Sequence, residues 1–118
     1  MTEGNENTPV DVNLFEQLFD EAPLPYKVIG FDGRLCQVNK AWLKLLGYQR
    51  EEVIGQPLRN FVAPGYHNQL DSNIKRIQSG TELKNQAGEM IHANGTNVRV
   101  EIEINRRFDP VRSTGDIL

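Results

Sequence analysis

The amino-acid sequence predicts an α+β fold in which two β-hairpins, separated by a run of short helices, enclose one apolar interior. Asp32-Gly33 and Asn94-Gly95 are strong hairpin signals, because a type I′ turn needs positive φ at both central residues. Between the two signals, apolar residues recur at helical spacing and the segments end at glycines. The chain has 118 residues, of which 38% are apolar, and this is sufficient for one domain with one modest core.

Charge and cysteine content restrict the function classes. The formal charge is -3 and the only dense basic run is Arg106-Arg107, so the sequence does not predict a nucleic-acid partner. The single cysteine, Cys36, excludes an internal disulfide and indicates a reducing compartment. No apolar run is long enough to span a bilayer, and the polar N-terminus does not look like a secretion signal. We therefore expect a cytoplasmic domain.

The N-terminal segment divides into a polar tail and an amphipathic helix. Residues 1–10 show no periodicity and are expected to form a disordered tail or linker. A helix is predicted over residues 11–22, because Asp11 can cap its start and Pro23 ends it. Its apolar stripe predicts packing either on this domain or on a second copy of the chain, and both stay open. The candidate dimer-interface residues are Val12, Phe15, Leu18 and Phe19.

The first hairpin is predicted over residues 25–31 and 34–38, and its second strand carries Cys36. Strict alternation places Cys36 on the same face as Val38, so we expect a buried cysteine that acts as a small apolar side chain. Cys36 has no Cys or His neighbour at zinc-ligand spacing, so no metal site is predicted.

Three short helices are predicted after the first hairpin. Asn39 is a good N-cap, and Gly47 a good C-cap, for a helix over residues 40–46. Glu51 lies in the first turn of a second helix, where the helix dipole favours negative charge. A third helix is predicted over residues 65–79, which carry an apolar stripe at helical spacing.

The second hairpin is predicted over residues 87–93 and 98–104. Its second strand alternates apolar and polar residues, which is the pattern of a strand with one face buried and one face in water. Residues 115–118 can form the beginning of a further strand.

Several of these motifs, in this order, resemble the PAS family of sensory domains. The matching segments are Phe31-Asp32-Gly33-Arg34, Val38-Asn39-Lys40-Ala41-Trp42, Leu45-Leu46-Gly47-Tyr48, Glu51-Glu52-Val53-Ile54-Gly55-Gln56 and Asn94-Gly95. The resemblance covers the chain from about Phe15 onward, and we expect one domain over residues 11–118 with its core over 24–118. It implies a five-stranded antiparallel sheet with short helices on one face.

Two departures from the family pattern affect these expectations. Gln49 stands where the family often has Ser or Thr, so the helix that begins after it is expected to fray. The family's last strand lies centrally, between the first and the fourth, and this chain supplies at most residues 115–118 for it. We therefore predict a truncated or incomplete last strand, with shortened pairing or with a neighbouring chain in the gap. We also expect the natural protein to continue past Leu118.

The resemblance also implies an apolar pocket between the sheet and the helices, for a small apolar or aromatic ligand or a cofactor. The candidate pocket residues are Val28, Trp42, Leu45, Phe61, His67, Leu70, Ile74, Met90, Val100 and Ile102. Trp42 and Phe61 are bulky, so a core that is filled by its own side chains stays an equal alternative.

The sequence gives little evidence for a bound cofactor or for catalysis. His67 belongs to the helix from which haem-binding members of the family supply an axial ligand, but it is displaced from that position, so haem is a minor alternative. Cys36 is not in the helical cysteine motif of the flavin-binding, light-sensing branch. No serine or carboxylate pair has the partners that nucleophilic catalysis needs. No cofactor is evident, and we expect that the chain is not an enzyme.

Two functions stay open at this point. The first is a sensory domain that binds a ligand and biases an effector of the histidine kinase or cyclase type, as in two-component signalling. The second is a ligand-free scaffold for dimerisation and protein interaction. In both cases we expect a homodimer formed through the N-terminal helix and the sheet.

Overall fold

The computed structural model describes residues 12–104, 106–109 and 114–117 of the protein. The helices are α1 (Val12–Glu21), α2 (Lys40–Leu46), α3 (Arg50–Val53) and α4 (His67–Gln78). The strands are β1 (Lys27–Gly30), β2 (Leu35–Val38), β3 (Leu83–Ile91), β4 (Asn97–Ile104), β5 (Arg106–Asp109) and β6 (Thr114–Ile117). Two short 3-10 helices, Leu58–Phe61 and Pro64–Tyr66, lead into α4. The tail predicted over residues 1–10 lies outside the described residues.

Both hairpins form, but each turn contains one residue with positive φ where the sequence predicted two. Gly33 has a φ of 82° and Gly95 a φ of 91°, whereas Asp32 and Asn94 do not have positive φ. In each loop the Asp or Asn side chain accepts a hydrogen bond from the backbone N–H two residues later. This is the three-residue loop in which a type I turn precedes a left-handed glycine. The prediction of type I′ turns is therefore wrong.

Cys36 is exposed, which corrects the prediction of a buried side chain. The register between β1 and β2 shifts after the pair Val28–Gln37, and the next pair is Ile29–Leu35. Cys36 is thus the extra residue of a β-bulge, and the bulge interrupts the alternation of faces along β2. Leu35 is consequently buried while its neighbour Cys36 faces solvent.

Asn39 caps α2 as predicted and also joins α2 to the segment before β1. Its side-chain oxygen accepts hydrogen bonds from the backbone N–H of Trp42 at 3.0 Å and of Tyr26 at 2.9 Å. Its side-chain nitrogen donates to the carbonyl oxygen of Leu24 at 2.8 Å. The residue is fully buried, so these bonds replace water for three backbone groups.

α3 forms behind Gln49, and the expected fraying is not seen. The carboxylate of Glu52 accepts a hydrogen bond from the backbone N–H of Gln49 at 2.8 Å. This bond satisfies a donor at the start of the helix from the third helical position, as in a capping box. Residue 49 therefore does not have to supply the cap by itself.

Two element boundaries also differ from the predicted ones. The third predicted helix, residues 65–79, divides into the 3-10 helix Pro64–Tyr66 and α4. β3 begins at Leu83, four residues earlier than predicted, and its register with β4 shifts between Leu83 and Gln86, where Asn85 has a φ of 56°. An irregularity of this kind leaves no regular alternation for a sequence pattern to detect.

The strands are antiparallel, with β6 in the central position. The larger sheet has the order β2-β1-β6-β5, and β3 and β4 form a separate two-stranded ladder. β6 joins β1 through only two residue pairs, Ile29 with Ile117 and Gly30 with Asp116. The last strand is thus central and short, which is the predicted truncation with shortened pairing. The resemblance implied a single five-stranded sheet. Because β6 is short, the described strands form two separate hydrogen-bonded sheets instead.

The interior between the sheet and the helices is filled by side chains. Phe61 packs edge-to-face on Tyr48 and on Trp42, with ring centroids 5.0 Å and 6.2 Å apart. The buried core residues are Ile29, Leu35, Val38, Trp42, Leu46, Val53, Leu58, Phe61, Val62, Ile77, Leu83, Met90 and Ile104. This packing favours the alternative in which bulky side chains occupy the space beneath the sheet.

Candidate functional site

A cavity of about 720 Å³ lies beside the filled core, between the two hairpins. Its walls come from α1 and the segment that follows it, from β1, from α2, and from β3 and β4. The lining residues are Leu18, Phe19, Ala22, Pro25, Tyr26, Lys27, Trp42, Leu45, Leu46, Met90, Val100, Glu101, Ile102 and Glu103. Most of them are apolar, and the three charged members are Lys27, Glu101 and Glu103.

The structure brings five of the ten candidate pocket residues together around this cavity. They are Trp42, Leu45, Met90, Val100 and Ile102. The lining residues come from the α1 and α2 side of the molecule, and α3 and α4 contribute none of them. The sequence predicted a pocket between the sheet and the helices, and the helices that line this cavity are α1 and α2.

The fold places the other five candidates away from the cavity. Phe61 belongs to the aromatic cluster in the core, and Leu70 and Ile74 pack against that core from α4. Val28 is buried, but it pairs with Gln37 and does not belong to the core cluster. Adjacent residues of a strand project to opposite faces, so Val28 points away from the side that Ile29 faces.

The fifth candidate, His67, is held by the loop that precedes α4. Its Nε2 lies 2.8 Å from the carbonyl oxygen of Val62 and 3.1 Å from that of Arg59. Both neighbours are acceptors, so Nε2 carries a proton and donates to them. A protonated nitrogen cannot coordinate iron, and this geometry gives no support to the haem alternative through Nε2.

Lys27 is the basic side chain in the cavity wall. It pairs with Val38 across the β1–β2 ladder, and opposite residues of an antiparallel pair project to the same face, so Lys27 points toward the side where Val38 is buried. Burial lowers the pKa of Lys27 from its ordinary 10.5 to about 8, because desolvation favours the neutral amine. Among the described residues, no carboxylate forms an ion pair with it.

Charged contacts fix the C-terminal end of α1 to the rest of the domain. Arg50 donates one hydrogen bond to the Asp20 carboxylate and another, at 3.0 Å, to the carbonyl oxygen of Val38. The Lys40 ammonium lies 3.6 Å from the Glu21 carboxylate and 3.8 Å from that of Asp20. These contacts join α1 to α2, to α3 and to the end of β2.

Two of the four candidate interface residues have described side chains. Leu18 is exposed on α1, whereas Phe19 is half-buried and stacks on Tyr26 with ring centroids 6.2 Å apart. Val12 and Phe15 also belong to α1, but their side chains lie outside what the structure describes.

Exposed apolar side chains follow α1 and the segment after it. The exposed fraction is 49% for Leu14, 59% for Leu18, 62% for Leu24 and 47% for Tyr26. We call these four residues the N-terminal apolar patch. Leu14 and Leu18 are about one turn apart on α1, and Leu18 and Tyr26 line the same cavity. Single exposed apolar residues are ordinary, but a cluster of them is the kind of surface that marks an association site.

The described residues form neither a metal site nor a membrane-spanning helix. Within the described ranges, no three His, Cys, Asp or Glu side chains come close enough together to hold a metal ion. In the same part of the chain, no helix combines the length and the hydropathy that crossing a bilayer requires.

The sequence interpretation missed three residues that organise this site, namely Asp20, Lys27 and Arg50. Lys27 gave a signal, because it is the one charged residue in the otherwise apolar run of residues 25–31. The Asp20–Arg50 contact joins residues 30 positions apart, and no local pattern in the sequence indicates such a pairing.

Comparison with known proteins decides the family. The sequence model of the PAS domain matches residues 23–117, which is most of the chain. The chain belongs to the PAS domain family. A curated relative of this PAS domain is sporulation kinase A of Bacillus subtilis (strain 168), which is 28% identical over 99 residues. The matched region covers 83% of this chain and 16% of the kinase, so the chain spans about a sixth of that relative's length.

Solved PAS structures share the fold. The PAS domain of an HTR-like protein from Haloarcula marismortui has a TM-score of 0.76 and 22% identity, covering 89% of this chain and 84% of that one. A domain of the sensory box sensor histidine kinase/response regulator from Geobacter sulfurreducens has a TM-score of 0.73 and 22% identity, covering 97% of each chain. At these identities the likeness shows the fold alone. Membership of the PAS family gives the chain a sensory role in signal transduction.

Proposed function

We propose that this PAS domain regulates an effector of the histidine kinase type in a larger protein, and that it acts by dimerising through its N-terminal apolar patch. The kinase relative supports the effector class. The filled core supports a mechanism that works through surfaces, because the space beneath the sheet is occupied by the protein's own side chains. Dimerisation would then set the geometry in which two effectors meet.

The observation that carries this proposal is the N-terminal apolar patch, which begins on α1 and continues along the segment after it, where charged contacts fix the end of the helix. Its four residues are each at least 47% exposed, and the ion pairs of Asp20 hold the adjacent end of α1 against α2 and α3. A patch held in this way is presented identically by every copy, and two-fold pairing places such a surface against itself. Full burial of a large apolar side chain contributes about 1.5–3 kcal/mol, so the patch can supply a substantial part of a dimer's stability.

The test is to measure dimerisation with and without the patch. Sedimentation equilibrium of the 118-residue chain is expected to show a monomer–dimer equilibrium. The double substitution Leu14→Ser and Leu18→Ser should weaken dimerisation by roughly 100-fold or more, since each copy loses two apolar contacts. Gln17→Ser, an exposed polar position on the same helix, is the matched control and should leave the equilibrium unchanged. A chain that is monomeric at all accessible concentrations, or a double variant that dimerises normally, would contradict the proposal.

The effector class has its own test in the parent gene. Translation of the gene beyond this segment is expected to show the phosphoacceptor and ATP-binding domains of a histidine kinase. A cyclase domain, or any other output domain, would overturn this part of the proposal and leave the dimerisation part intact.

Ligand binding is the second candidate function, and the cavity is the observation that favours it. Its volume of about 720 Å³ and its mostly apolar lining suit a small apolar or aromatic molecule. Native mass spectrometry of protein purified from more than one host would show a retained molecule as added mass, and visible absorbance would identify haem or flavin. A chain that carries no added mass and no visible absorbance from any host would remove this candidate.

A further inference from the structure

The charged residues in the lining of the cavity point in different directions. Glu101 and Glu103 alternate along β4 with Val100 and Ile102, which pack against the core. Adjacent residues of a strand project to opposite faces, so the two glutamates project to the outer face, and both are exposed. Their carboxylates therefore border the cavity at its rim and do not face its apolar interior.

Lys27 projects to the inner face instead. It lies two positions before Ile29, a core residue, and directly opposite Val38, which is also in the core. The residue is half-buried, and burial lowers the pKa of its amine to about 8 because the ammonium is desolvated. The carboxylate of Glu103 lies 4.0 Å from the ammonium of Lys84, and no described carboxylate pairs with Lys27. The inner side of the cavity thus presents a cation that has no counter-ion among the described residues.

The other inner walls of the cavity are apolar. Phe19 comes from α1, Trp42 from α2, Met90 from β3 and Ile102 from β4. Trp42 and Met90 are only 5% and 6% exposed. A polar group placed against these aromatic, thioether and aliphatic surfaces would lose its hydration with little to replace it. Most of a molecule that binds here must therefore be apolar.

The inner cation determines the remaining part of the ligand. A neutral apolar molecule would displace water from the Lys27 ammonium and leave its charge unpaired, which is costly. A phosphate monoester carries about two negative charges near pH 7, and one ammonium neutralises only one of them. A carboxylate carries one charge, and hydrogen bonds between an ammonium and a carboxylate are among the strong ones. A single carboxylate on an apolar body therefore matches both the charge and the walls of the cavity.

We propose that the cavity binds a small monocarboxylic acid, which places its carboxylate at the Lys27 ammonium and its apolar body against Trp42, Met90 and Ile102. This inference rests on the ligand-binding candidate above and names the chemical class of its ligand. It assigns Lys27 as the residue that distinguishes acids from neutral molecules. The family resemblance implied an apolar or aromatic ligand or a cofactor, and its candidate pocket residues did not include Lys27.

The bound acid would also touch the surface proposed for dimerisation. Leu18 and Tyr26 line the cavity and are members of the N-terminal apolar patch. Binding of the acid does not itself require a dimer, because the residues that line the cavity come from one copy of the chain.

Trp42 reports binding directly, because it is the one tryptophan of the chain and it lines the cavity. A fluorescence titration at pH 7 compares octanoate with 1-octanol, which has the same number of carbons and no charge. The natural chain should bind octanoate about tenfold or more tightly, since hydrogen bonds to charged groups are stronger than neutral ones. Lys27→Met should bind the two molecules about equally, whereas Lys27→Arg should keep the preference. Lys44→Met, at an exposed position on α2, is the matched control and should also keep it.

The preference for octanoate should depend on pH. The pKa of Lys27 is about 8, so the amine becomes neutral above this pH and no longer attracts a carboxylate. The affinity for octanoate should therefore fall by about tenfold or more between about pH 7 and pH 9.5, and the affinity for 1-octanol should change little. Lys27→Arg stays charged over this range and should show no such fall.

The possible results distinguish the proposal from the ligand-binding candidate. Equal affinity of the natural chain for octanoate and 1-octanol would overturn the proposal and leave the candidate standing. A preference for octanoate that persists in Lys27→Met would also overturn it, because another cation would then bind the carboxylate. If neither molecule changes the fluorescence of Trp42, the proposal is overturned, and the absence of added mass in native mass spectrometry then decides against the candidate as well.

Discussion

The two hairpins have turns of the same construction but edges in very different situations. In the first hairpin, β1 is bordered by β2 on one side and partly by β6 on the other, and Ile29 and Leu35 are almost completely buried. In the second, β3 is the one strand among the described residues that pairs with β4. Val98, Val100 and Ile102 are half-buried, although they alternate regularly with polar residues. Local sequence therefore decides that a hairpin forms, and the partners at its edges decide how much of its apolar face leaves water.

Substituting one buried apolar residue in each hairpin tests this difference in burial and should give the largest change in stability. Leu35→Ala should reduce the free energy of unfolding by about 3–4 kcal/mol, because Leu35 is 1% exposed and its removal leaves a cavity. Ile102→Ala should reduce it by only about 1–2 kcal/mol, because Ile102 already borders an open space. Urea unfolding of both variants measures the two values. Equal losses would show that the two hairpins are buried to the same extent, which would contradict the difference described above.

A second prediction concerns Asn39, which follows the first hairpin and binds the segment before it. Asn39→Ala should lower the unfolding free energy by about 2–3 kcal/mol, since it removes the cap of α2 and leaves the Tyr26 N–H and the Leu24 carbonyl without their partner. Asn39→Ser restores the cap alone and should recover about 1 kcal/mol. If Ser recovered the whole loss in urea unfolding, the bonds to the segment before β1 would contribute nothing.

The smallest effect concerns Lys27, which belongs to the first hairpin and lines the cavity. Its pKa of about 8 in the folded state lies below its ordinary 10.5, so the unfolded state binds more protons between these values and stability rises with pH across that window. We expect a gain of about 1–2 kcal/mol between about pH 7 and pH 9.5. Lys27→Met should be more stable than the natural chain at pH 7 and should lack the rise.

Two other residues, Lys44 and Tyr48, matter for the design of this pH experiment. Lys44→Met, at an exposed position on α2, should keep the rise of the natural chain. Burial, together with the charge of Glu52, raises the pKa of Tyr48, so ionisation of Tyr48 lowers stability only at pH values above about 10. A pH profile that is flat for the natural chain would show that the Lys27 ammonium remains solvated.

The sequence was sufficient where structure depends on neighbours in the chain. Asn39, Gly47 and the two turn glycines specify the caps and the hairpins, and each lies where its pattern predicted. The bulge at Cys36 could not be predicted, because an extra residue in one strand is defined only by its partner across the ladder. The same holds for Val28, whose face depends on that register.

The candidate site was predicted only in part, for a related reason. Trp42, Met90 and Ile102 line the cavity because apolar alternation places them on the inner side of their elements. The position of the cavity depends instead on how far β6 extends beside β1, and two residue pairs fix that extent. No property of residues 25–31 or 98–104 taken alone indicates which parts of their edges pair with another of the described strands.

Native-state hydrogen exchange of the 118-residue chain is the direct test of whether the edge of β4 that faces away from β3 is open. In an antiparallel strand, alternate N–H groups point to opposite neighbours. From Asn97 to Ile104, the amides that point to β3 should be protected, and those that point away from β3 should exchange about 100-fold faster or more. Uniform slow exchange along β4, equal to that of Ile29 in β1, would contradict an open edge between the hairpins.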